Sequence, residues 1–199
     1  MKGQSVSLIL SILIYAAIFV PVVSAETETK ALLMTIIFRL PVFFIVLFLN
    51  LNSGSMKKNQ RGWKSPHLID WILIPLLVLL TLVLGMVFSM KSPPAVYSIE
   101  AWPLLTLLAL IIAVVEEGYF RSWLLTEMPR IGVPSHWALV ASCLLFSLAH
   151  AWQGLTGVVF AGLIGVLYGA VFLWRKNIII LIVSHAVYDL LAMLAAIIR

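Results

Sequence analysis

Three short patterns stand out against an oily background: "EEGYFR" at Glu116–Arg121, "FSLAH" at Phe146–His150 and "HAVYD" at His185–Asp189. Carboxylates and imidazoles gathered in a confined wet cavity form a general acid–base centre. On a helix, residues four apart share a face. Glu117 therefore lines up with Arg121, Phe146 with His150, and His185 with Asp189. Glu116 and Glu117 project about 100° apart on such a helix, which predicts different work for the two acids. Glu117 stands N-terminal to Arg121, the favourable order for an ion pair, so this pair is expected to neutralise charge and fix the helix. Glu116 is then the acid that faces a cavity with His150 and His185. The candidate catalytic set is Glu116, His150, His185 and Asp189, supported by Glu117, Arg121 and Phe146.

Several familiar chemistries lack their residues. No H-E-x-x-H is present, so the ligand helix of zincin-type hydrolysis is missing. No serine sits in G-x-S-x-G, the strained elbow that exposes a nucleophile. Paired aspartates on two spans are also absent, because Asp70 falls at a helix edge and Asp189 stands alone. A Glu/His/His/Asp group also suits zinc, but no spacing here is a dedicated ligand pair. The expectation is no cofactor, with zinc as the alternative. Cys143 is the only cysteine, which excludes a disulfide framework and a thiolate cluster.

The elements that must hold these groups are membrane helices. The 199 residues are 63% hydrophobic and 11% charged, with a mean hydropathy of +1.12. A soluble domain carries about 45–50% apolar and about 25% charged residues. The fold class is therefore an all-α, polytopic membrane bundle of about seven (7–8) transmembrane helices, forming one integral-membrane domain over 1–199. Spans of about 20 apolar residues fall near 5–23, 31–51, 69–90, 102–125, 136–152, 155–174 and 178–198. Pro93–Pro94, Pro129 and Pro134 mark stops, since helices tend to end before proline.

Nine basic residues (Lys2, Lys57, Lys58, Arg61, Lys64, Arg121, Arg130, Arg175 and Lys176) collect on one side of this topology. Lys30, Lys91 and Arg199 lie on the other. That asymmetry predicts a cytoplasmic amino terminus in a cell membrane, the inner or plasma membrane. It also accounts for the net charge of +5 without a nucleic-acid partner. "MKGQ", an apolar stretch and Val23–Ser24–Ala25 together resemble a secretory signal, but the apolar part is long for one, and an uncleaved first helix is expected.

Depth was a further guide to the site. At about 1.5 Å per residue, Glu116 lies roughly 13 Å from the cytoplasmic end of its span. On the same scale His150 lies roughly 21 Å in, and His185 and Asp189 roughly 10 and 17 Å in. Ionisable groups in a span are costly and mark function by default. Arg39 is another such group, with no partner visible in the sequence. Gly154, Gly157, Gly162, Gly165 and Gly169 suit close helix packing. Trp63, Trp71, Trp102 and Trp137 read as interfacial anchors, and His67 and His136 as solvated.

In this order, E-E-x-x-x-R, F-x-x-x-H and H-x-x-x-D resemble the CPBP family of intramembrane proteases. That family includes type II CAAX prenyl endopeptidases and bacteriocin-processing relatives. The resemblance covers a motif core at about 100–195. It implies an intramembrane endopeptidase acting on a membrane-associated peptide or protein through a glutamate-activated water. Glu116 with His150 would activate that water, and His185 with Asp189 would stabilise the oxyanion. Glu117 and Arg121 would hold the first motif in place. Many relatives carry asparagine where Asp189 stands. An ionised aspartate only accepts hydrogen bonds, so here it would orient His185 instead. The family has been read as both glutamic and metallo-type; the glutamic mechanism is the expectation here. A proton-coupled transporter also uses buried Glu and His, but it predicts inverted repeats that the sequence lacks. A non-catalytic membrane scaffold is the third reading.

Overall fold

The computed structural model describes residues 28–52, 62–89 and 98–198. The expected span at 5–23, with its signal-like end, lies outside these residues. Among them the protein is all-α, with six helical rods and no strand. The rods follow from composition: in hydrocarbon every backbone N–H and C=O must be satisfied internally, and a helix achieves that within one segment.

Helix α1 runs Glu28–Asn52 and α2 runs Leu68–Ser89. A long third rod covers Ile99–Arg130. It comprises a 3-10 turn at Ile99–Ala101, α3 (Trp102–Glu117), a π-helical segment (Gly118–Leu124) and α4 (Leu125–Arg130). Helix α5 spans Ser135–Ala149, α6 Gly154–Arg175 and α7 Ile178–Ile198.

Five of these rods are long and apolar enough to cross a membrane. Helix α5, with 15 residues, is about 22 Å long and falls short of a hydrocarbon core of about 30 Å. Six of the seven expected spans fall in the described residues, and five of those six rods are long and apolar enough to cross. The apolar run continues past His150 through Ala151 and Trp152, the extent of the expected span 136–152. The chain instead leaves the α-helix at His150 and turns at Gly154, whose φ of +76° favours glycine. Pro129 also fails to stop its helix, which ends one residue later at Arg130. Pro134 does precede α5 as its N-cap.

Helix α3 packs between α1 and α7, α2 lies against α7 and α6, and α5 lies against α6. Small residues allow the α5–α6 approach: a methyl group on Gly165 would sit 3.3 Å from Cys143 Cα, and one on Gly169 would strike Leu139. Gly154 serves the turn and touches nothing.

The α6–α7 turn is fastened to the start of α2. Asp70 Oδ1 accepts from Arg175 Nε at 2.8 Å, and Oδ2 accepts from Asn177 Nδ2 at 3.1 Å and from the His67 N–H at 2.8 Å. The Ile178 N–H donates to Gly62 O at 2.9 Å. This latch holds α7 in register with α2, and α7 carries the H-x-x-x-D pattern.

Candidate active site

The two acids end α3, and the helix then widens. Gly118–Leu124 forms π-helical turns, whose i→i+5 bonds are rare and recur at functional sites. Where the hydrogen-bond register changes, carbonyls lose their usual partners, and in a membrane that costs several kcal/mol per group. Neighbouring side chains meet the need. Asn50 Nδ2 of α1 donates to Gly118 O at 3.1 Å, and Ser142 Oγ of α5 donates to Phe120 O at 2.9 Å. Thr126 Oγ1 donates to Ser122 O at 2.6 Å. Gly118 permits the close approach of α1, since a Cβ there would stand 2.8 Å from Val46 Cγ1.

His185 is the hub of the site. Its Nδ1 lies 2.9 Å from Glu117 Oε1, across 68 residues of sequence. With the carboxylate accepting, Nδ1–H donates, and Nε2 is left facing the other acids. Nε2 is 3.6 Å from Asp189 Oδ2 and 3.9 Å from Glu116 Oε2. The i,i+4 spacing of His185 and Asp189 thus brings them to one side of α7. Arg39 of α1 is near enough for its charge to act on Asp189.

Arg121 Nε sits 3.2 Å from Glu117 Oε2, with the guanidinium only 1% exposed. The contact is one of charge, because the N–H groups are not aligned on the oxygen as a hydrogen bond requires. The guanidinium also lies 4.2 Å over the Phe146 ring, a desolvated cation–π contact. Phe146 in turn packs on the His150 ring at 4.7 Å. Among the described residues, the buried side-chain atoms lacking a hydrogen-bond partner all belong to Glu116, Glu117 and Arg121.

Beside His185 opens a cavity of ≈ 240 Å³. His150, His185 and Asp189 line it, with an aromatic wall of Phe146, Phe160, Tyr168 and Tyr188. Gly85 makes room for Tyr188, whose hydroxyl would lie 2.8 Å from a Cβ at that position. Glu116 is 3% exposed and stands within reach of the imidazole rather than on the cavity wall. His150 caps the end of α5, and its Nδ1 is 2.8 Å from Phe146 O.

The longer third rod also changes depth. Arg130 ends it 14 residues beyond Glu116, which puts the acid about 21 Å from that end. His150, 15 residues from the start of α5, lies at a similar depth of about 22 Å.

Other expectations fare unevenly. His67 and His136 are exposed, as are Trp71 and Trp137. Trp63 is half-buried and bonds inward. Its Nε1–H donates inward to Ser122 Oγ at 3.1 Å and to Asn50 Oδ1 at 3.3 Å. Sequence reasoning missed Asn50, and the available signal was an asparagine inside the apolar span 31–51. The Glu117–His185 bond was missed too, and no local spacing announces it.

Residues 98–191 match the model of a family described as Rce1-like, type II CAAX prenyl endopeptidase. No curated protein and no solved structure matches the chain. The matched stretch begins just before α3 and ends within α7, so it contains all three patterns and the helices that carry them. On these findings the protein is a multi-pass membrane protein whose residues 98–191 match the Rce1-like type II CAAX prenyl endopeptidase family, which supports a CPBP-type intramembrane protease.

Proposed function

We propose that the protein is a glutamic-type intramembrane endopeptidase, hydrolysing a peptide bond of a membrane-associated peptide or protein. The single observation that carries this reading is the cavity wall of His150, His185 and Asp189, with Glu116 and Glu117 converging on the same imidazole. In the reaction, His150 orients a water and Glu116 accepts its proton as the oxygen attacks the scissile carbonyl carbon. The carbonyl electrons move onto oxygen, and His185, as an imidazolium protonated on both ring nitrogens, donates from Nε2 to that oxyanion. Collapse breaks the C–N bond, and Glu116 returns the proton to the leaving amine. Asp189 balances the charge on the His185 imidazolium, and Glu117 fixes the ring's orientation by accepting from Nδ1–H.

The chain acts as one integral-membrane domain in the cell membrane, amino terminus cytoplasmic, in keeping with the basic loops. Among the described residues no three of the His, Cys, Asp and Glu side chains converge as a metal-ligand set. The proposed steps run through protein groups. An internally quenched peptide with a CAAX-type carboxy terminus, prenylated or not, presented in proteoliposomes, tests the reading. Cleavage is expected from the intact chain, unchanged by chelator. Undiminished cleavage by Glu116→Ala would overturn it.

A further inference from the structure

The π segment joins the two acids to Arg121, and one residue outside the matched family region organises its surroundings. Asn50, at the end of the membrane span of α1, is 3% exposed. Its amide group is fully employed. Nδ2 donates to Val46 O at 2.8 Å and to Gly118 O at 3.1 Å, while Oδ1 accepts from Ser122 Oγ and from Trp63 Nε1. It thereby ties together α1, the segment before α2 and both halves of the first π turn. An amide that uses both donors and two acceptor positions has one orientation, which suits it to locate another group. Gly118 is bonded directly to Glu117 in the chain, so a shift of Gly118 moves Glu117, and through it His185.

We propose that Asn50 is a positioning residue for the reaction: by holding Gly118 O, it sets where Glu116 and Glu117 meet His185. The proposal rests on the endopeptidase reading. Its structural half, the fixing of the π segment, stands apart from activity. Ser142 secures the opposite side of the same segment through Phe120 O, and its contribution is smaller because it makes one such bond rather than two links to the segment.

The full chain in proteoliposomes, with the quenched CAAX-type peptide as probe, supplies one readout. Asn50→Leu keeps the side-chain size and removes the amide. Its kcat per folded molecule is expected to fall about 10–100-fold, as a displacement near 1 Å does at a catalytic group, with KM within about twofold. Amide hydrogen exchange supplies the other readout: Gly118–Leu124 exchanges faster in the variant while α7 does not. A role in overall stability alone would lower the folded fraction and leave kcat per folded molecule intact. That result, or exchange that rises uniformly, overturns the proposal. Should Asn50→Leu not fold, Asn50→Asp, which keeps Oδ1 and removes the Nδ2 donor to Gly118 O, is read in the same two ways, and an unchanged π segment with unchanged kcat there overturns it equally. Cleavage by Glu116→Ala at the intact rate would instead sink the endopeptidase reading, leaving the exchange result to judge the structural half.

Discussion

Asp70 and Glu116 are both buried carboxylates on membrane helices, and their neighbours treat them oppositely. Both oxygens of Asp70 are engaged, by Arg175, Asn177 and the His67 N–H. Glu116 Oε2 has no hydrogen bond, and the His185 Nε2 lies 3.9 Å from it. A satisfied buried acid is a fastener, because leaving such groups unpaired is what costs stability. An unsatisfied one keeps its lone pairs for something that arrives. The contrast separates the part of the molecule that holds α2, α6 and α7 together from the part proposed to do chemistry.

Substitutions sharpen this contrast in descending order of effect. Glu116→Gln keeps the shape and removes the base, so kcat should fall about 10²–10⁴-fold with the unfolding temperature little changed; progress curves and thermal unfolding in detergent read both. Glu117→Gln strips Arg121 of the counter-charge 3.2 Å from its Nε and weakens the hold on His185. Breaking such a buried pair costs about 3–5 kcal/mol, so denaturation should show the loss along with reduced cleavage. Asp70→Ala leaves Asn177 and the His67 N–H unpaired, with Arg175 partly open to solvent. Its cost is about 1–3 kcal/mol, and kcat per folded molecule should be retained; if that kcat collapsed, the division into fastener and reactive acid would fail. Asp189→Asn keeps the shape and replaces the acid by an amide, and cleavage should change by less than about tenfold, one step of 1.4 kcal/mol.

Much of this was legible in the sequence because helices impose a period. The spacing of Glu117 with Arg121 and of His185 with Asp189 gave contacts that the fold contains. Continuous apolar runs gave α1, α2, α6 and α7 nearly to the residue. What the period could not carry was the relation between helices. Glu117 was read as belonging to Arg121 alone, yet it is also bonded to His185, and that contact depends on how α3 packs against α7. The π segment was invisible because a one-residue change of hydrogen-bond register leaves no mark in a uniformly apolar pattern. Trp63 looked like a lipid anchor by position; its indole N–H instead found Ser122 and Asn50. The stop at His150 was missed for a similar reason, since apolar residues continue past the point where α5 ends.

The division into fastener and reactive acid is tested most directly by the rate at which purified Glu116→Gln cleaves the quenched CAAX-type peptide in proteoliposomes, beside the intact chain and Asp70→Ala. The expected result is cleavage lost in Glu116→Gln and kept, per folded molecule, in Asp70→Ala. Cleavage persisting in Glu116→Gln at the rate of the intact chain would contradict it.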